Sequence, residues 1–117
     1  MANLTVVNVD DEYPALQLVK QYCAQLEDVE LLGSFQDPEE ALVFLRANKV
    51  DLVIFDINMP KINGVELLQQ LPDPPLCIFL TLESKYAVKA FELDVVHYLI
   101  KPVDFDTFKK AVNKAKD

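Results

Sequence analysis

Asp51-Leu52-Val53-Ile54-Phe55-Asp56 sets four apolar residues between two acids. Asp51–Phe55 reads as a strand. Because successive side chains point to opposite faces and all four are apolar, that strand must be covered on both sides, as in a parallel sheet. Outward from it, the chain alternates. Leu4–Val9 is a second apolar, β-branched run and reads as the first strand. Asp11 to about Leu26 reads as a helix, with Pro14 in its first turn and Leu16, Val19, Cys23 and Leu26 on one face. Glu30–Phe35 is the second strand. Asp37-Pro38-Glu39-Glu40 then opens a helix to about Asn48: a capping acid, proline at the first position, and acids against the positive helix end. Downstream come a short helix over Val65–Leu71, strands at Leu76–Leu80 and His97–Ile100, and a helix over Ser84–Leu93. A last helix starts near Asp104 and carries Phe105, Phe108, Val112 and Ala115 at helical spacing. Strict βα alternation, five times over, predicts an α/β domain: a doubly wound parallel sheet with helices on both faces, too short for an eightfold barrel.

Composition bounds the function. The 117 residues suit one domain, with net charge −8 and 51% hydrophobic residues. The two glycines, Gly33 and Gly64, lie 31 positions apart, which excludes dinucleotide and P-loop phosphate motifs. Two cysteines and one histidine cannot make a four-ligand zinc site. An acidic domain is repelled by phosphate backbones and anionic membranes, so direct nucleic-acid or membrane binding is not expected. The N-terminus carries no basic stretch ahead of an apolar run, and Cys23 and Cys77 sit in apolar settings. The expectation is a cytoplasmic chain with reduced core thiols.

In an open parallel sheet, ligands bind at the carboxyl ends of the strands. Past the first strand stand Asp10 and Asp11, past the third Asp56, past the fourth Thr81 and past the fifth Lys101; the second offers nothing comparable. Three crowded carboxylates call for a cation, and oxygen ligands select a hard one such as magnesium. A lysine and a hydroxyl suit a phosphoryl group, and a carboxylate can be the nucleophile that forms an aspartyl-phosphate. Asp56, alone past a central strand, is best placed for that. Each residue alone has a blander reading, Asp11 as a helix cap above all; the weight lies in their joint placement.

Val9-Asp10-Asp11-Glu12, Phe55-Asp56-Ile57-Asn58-Met59-Pro60 with Gly64, Thr81, and Tyr98-Leu99-Ile100-Lys101-Pro102 together resemble the receiver domain of two-component response regulators. Tyr86-Ala87-Val88-Lys89-Ala90-Phe91-Glu92-Leu93 resembles receivers attached to LytTR DNA-binding domains, the LytR/AlgR class. The resemblance implies a flavodoxin-like sheet in the order 2-1-3-4-5 and a cis Lys101-Pro102 bond. It implies Asp56 as phosphoacceptor for a sensor histidine kinase. Magnesium would be held by Asp10, Asp11, Asp56 and the carbonyl of Asn58, with Lys101 and Thr81 on the phosphoryl group. Thr81 and Tyr98 would form the switch, and Asn58 and Glu83 would tune autodephosphorylation. It also implies a signalling switch rather than an enzyme. Residues 1–117 would be a receiver cut from a longer regulator, with a C-terminal LytTR domain controlling transcription. A homodimer is expected through the face of the fourth helix, fifth strand and last helix. Leu82 departs from the family's usual small residue and is expected to narrow access to Asp56. Two rivals remain: a haloacid-dehalogenase-like phosphohydrolase, whose second acid is replaced here by Asn58, and a receiver fold that acts only as an interaction module.

Overall fold

The computed structural model describes residues 3–56, 69–71, 74–81 and 97–116. Its elements are β1 (Leu4–Val9), α1 (Tyr13–Ala24), β2 (Val29–Phe35), α2 (Pro38–Ala47), β3 (Leu52–Phe55), β4 (Leu76–Thr81), β5 (His97–Ile100) and α3 (Phe105–Lys116), α3 being the last helix of the chain. The five strands are parallel in the order β2-β1-β3-β4-β5, as the resemblance implied. The expected helices over Val65–Leu71 and Ser84–Leu93 fall largely or wholly outside the described residues. Among the described residues no helix is long and apolar enough to cross a membrane.

The all-apolar strands divide the core in two. Val7, Val9, Val53, Phe55, Cys77 and Phe79 face Ala41 and Leu42 of α2. Val6, Leu52, Ile54, Ile78, Leu80 and Leu99 face α1 and α3 through Val19, Cys23, Phe108 and Val112. This alternation buries both faces of the central strands and leaves the acids beyond them at the carboxyl edge. Both thiols are free and buried; burial pushes Cys23 up to about 11 and Cys77 well above its ordinary value, so neither is a nucleophile near neutrality.

Boundaries differ in instructive places. α1 begins at Tyr13, not Asp11: Glu12 is its extended N-cap, and Pro14 lies in the first turn, so the two aspartates stay in the loop. Asp37 caps α2 as expected, accepting the Glu39 N–H at 3.0 Å. Thr81 is the last residue of β4 rather than the first beyond it. The β1–β2 register slips between Val6 and Val7, which face Leu31 and Gly33, so Leu32 is the extra residue.

At the amino ends of the strands, Thr5 clamps Asp51. Its N–H and its hydroxyl each donate to Asp51 Oδ2 at 2.9 Å, and the Asp51 N–H donates back to the hydroxyl at 3.0 Å. The Thr5 N–H, then its hydroxyl, hold the Asp51 carboxyl below its usual range. Thr5→Val keeps the shape and removes the hydroxyl; it should cost about 1–2 kcal/mol in urea denaturation near neutrality. A depressed carboxyl stabilises only while ionised. That benefit is therefore complete above the unfolded value, about 4, and fades as pH falls below it, so the gap between variant and wild type should narrow there.

Candidate functional site

β1 and β3 are adjacent and end in step, Val9 facing Phe55. That register brings the residues just beyond them together. The main chain is pinned on every side: the Asp10 N–H donates to the Phe35 carbonyl at 3.0 Å, the Asp56 N–H to the Val9 carbonyl at 3.1 Å, and the Lys101 N–H to the Thr81 carbonyl at 2.9 Å. Such fixed loops hold charged side chains closer than free chains would tolerate.

The Lys101 ammonium fills the centre. Its Nζ lies 2.8 Å from Asp10 Oδ2, 2.8 Å from Glu12 Oε1 and 3.1 Å from Asp56 Oδ2. Burial works against the ammonium, but Asp10 and Glu12, with Asp56, outweigh it and hold its pKa above the ordinary value. Lys101 therefore stays charged throughout the physiological range. Asp10 is almost wholly buried; that burial raises its pKa, against the Lys101 hydrogen bond and the Glu12 N–H that donates to Oδ1 at 2.9 Å. Asp56 is also buried, Asp11 is partly exposed, and Thr81 is buried at the end of β4. Tyr98, half-buried on β5, sets its ring edge-on to Phe79 at 6.1 Å. The Lys101-Pro102 bond is cis.

Asp10, Asp11 and Asp56 each offer a carboxylate oxygen, all within 4.8 Å of one another. Four carboxylates, those of Asp10, Asp11, Glu12 and Asp56, gather around one ammonium, an excess of negative charge that favours a cation. An oxygen-only donor set suits a hard dication, magnesium before zinc or copper. The residues present therefore fit Mg2+. Asn58 and Glu83 lie outside the described residues, as does Leu82.

Reading the sequence found Asp10, Asp11, Asp56 and Lys101 at this edge, but it assigned no role to Glu12 and nothing to the second strand. Glu12 supplies a carboxylate for Lys101, and its signal was the third consecutive acid at a helix cap. Gln36, just past β2, donates through Nε2 to the Asp11 carbonyl at 3.2 Å and so steadies the acidic loop.

Residues 6–113 match the sequence pattern of the response regulator receiver domain. The chain is 35% identical over 116 residues to the sensory transduction protein LytT of Bacillus anthracis, covering 97% of this chain and 47% of that protein. It is 36% identical over 102 residues to the transcriptional regulatory protein YpdB of Escherichia coli K12, covering 85% and 42% respectively. The chain thus spans about half the length, or less, of these curated relatives. Among solved structures, the response regulatory domain of protein mrkE from Klebsiella pneumoniae superposes with a TM-score of 0.87 at 34% identity, covering 96% of this chain and 94% of that one. The likeness to LytT and YpdB agrees with the LytTR class. A match over nearly the whole chain, on a sheet ordered 2-1-3-4-5, identifies it: the chain belongs to the response regulator receiver domain family.

Proposed function

We propose that this receiver domain is a phosphorylation-controlled switch whose phosphoacceptor is Asp56. The observation that supports this most directly is the buried Lys101 ammonium held between Asp10 and Asp56 beside a third carboxylate. Asp56 attacks the phosphorus of a phosphohistidine on a sensor histidine kinase. The P–N bond breaks, its electron pair returns to the imidazole, and an acyl phosphate forms on Asp56. Lys101 turns from its carboxylates toward the incoming phosphoryl oxygens, and the Thr81 hydroxyl hydrogen-bonds one of them. Asp10, Asp11, Asp56 and the Asn58 carbonyl would hold Mg2+, which would supply positive charge to the developing phosphoryl anion. No outside metabolite is turned over, so the domain is not an enzyme in that sense.

In this reading Thr81 and Tyr98 form the two-state element, and the adjoining face carries the output. That face includes Ile100, half-exposed on the edge strand, and the exposed Asp106, Lys109, Lys110 and Asn113 of α3. Mixed charges suit a homodimer that phosphorylation strengthens and salt weakens. The longer relatives support a cytoplasmic transcription regulator with a LytTR DNA-binding domain outside these residues, the receiver itself making no direct contact with nucleic acid.

Incubation with phosphoramidate and Mg2+ should add one phosphate by intact mass, and chelation should prevent it. A chain that gains no phosphate from phosphoramidate or from any phosphorylated kinase would remove the proposal and leave a pure interaction module. The label should also decay without added phosphatase, over seconds to minutes as an order of magnitude, because Asn58 and Glu83 can orient a water. Replacing both by apolar residues should lengthen the lifetime; an unchanged decay would take these side chains out of the mechanism.

A further inference from the structure

Lys101 sits on a short connector between β5 and α3, and its ammonium reaches three carboxylates at 2.8 to 3.1 Å. Contacts that short leave little slack: an ångström of drift in the connector would lose them. The connector is tied at both ends. The Lys101 N–H donates to the Thr81 carbonyl, and Asp104 caps α3 by accepting the Thr107 N–H at 2.7 Å on its side chain and the Phe108 N–H at 3.0 Å on its carbonyl. Between those ties, Pro102 has no N–H to give.

The middle is reached from another element. The Tyr22 hydroxyl, on α1, donates to the Val103 carbonyl at 2.9 Å across 81 residues of chain. The ring of Tyr22 packs on Phe105 and Phe108, with centroids 5.4 and 5.3 Å away. Ring packing alone would join α1 to α3. The hydroxyl goes further, past the start of α3 into the connector. A groove of about 340 Å³ runs along the connector, lined by Glu12, Ala15 and Leu18 on one side and by Leu80, Lys101 and Val103. The Val103 side chain is itself buried in the core, so packing and the hydroxyl bond together hold the connector.

We infer that Tyr22 is a positioning residue for Lys101: its hydroxyl holds the Val103 carbonyl and so keeps the ammonium over the acidic site. The inference rests on the phosphoacceptor reading above. Tyr22 touches neither carboxylate nor phosphoryl group, so its effect must pass through Lys101. That predicts opposite responses to two ligands. The anion is met by Lys101, whereas the cation is held by the aspartates, with which Lys101 competes.

The test is calorimetric titration of wild type and Tyr22→Phe, which keeps the ring and its packing. With saturating Mg2+, beryllofluoride should bind the variant about three- to tenfold more weakly, the worth of one hydrogen bond. Mg2+ alone should bind as well as before or more tightly. Equal weakening toward both ligands would mean a generally loosened site and would overturn the inference, as would unchanged beryllofluoride binding. Wild-type protein that binds no beryllofluoride at all would instead overturn the phosphoacceptor reading, and the role of Tyr22 with it.

Discussion

Asp56→Asn protein, incubated with phosphoramidate and Mg2+, should gain no phosphate by intact mass, a loss on the order of a hundredfold or more in labelling rate. The amide is nearly isosteric but lacks the anionic oxygen that attacks phosphorus. The three carboxylates lie within 4.8 Å of one another, so proximity alone does not choose between them. Their engagements do. Asp10 uses Oδ1 on the Glu12 N–H and Oδ2 on Lys101, which holds it as a fixed acceptor. Asp11 is partly exposed and, among the described residues, makes no ion pair. Asp56 is buried, stands directly past the central strand β3, and touches the ammonium that a phosphoryl group would need. Label persisting on Asp10 or Asp11 in the variant would show that the site was assigned to the wrong carboxylate.

Phe79→Ala should cost about 3–5 kcal/mol, the usual range for deleting a fully buried ring. Phe79 is inaccessible to solvent on β4, between β3 and β5. Its ring lies 5.2 Å from Phe55 and 6.1 Å from Tyr98, so the cavity would open between the acceptor strand and the proposed switch strand. Against a total stability of about 5–15 kcal/mol, that loss removes much of the folded margin. Urea denaturation of both proteins measures it. A loss under about 1 kcal/mol would mean that the neighbouring rings collapse into the space and that this layer is softer than its packing implies.

The strands and the acids at their ends were legible because both follow short-range rules. An all-apolar run such as Leu52–Phe55 has one comfortable environment, and residues just past parallel strands share an edge whatever their separation in sequence. The Asp37-Pro38 helix start was equally local. What could not be read were side-chain contacts chosen only by the folded geometry: Glu12 on Lys101, Gln36 on the Asp11 carbonyl, Tyr22 on Val103, and Thr5 on Asp51. Each joins residues 25 to 89 positions apart, and no periodicity encodes such a pair. The end of β4 was missed for a related reason. Thr81 looked like a loop hydroxyl, yet its β-branched side chain and its carbonyl bond to Lys101 keep it in the ladder.

The slip in register between β1 and β2 bears on how the molecule behaves in a crowd. β2 borders the sheet, and a straight border strand with alternating apolar side chains is a template on which another chain can add itself. Here Leu32 is inserted at mid-strand and partly exposed, which twists that border and breaks the even spacing of its outward amides. Gly33 next to it has little room for a side chain: a β-carbon there would meet the Phe35 ring at 2.9 Å. An irregular border of this kind is a poorer template for edge-to-edge pairing than a straight one.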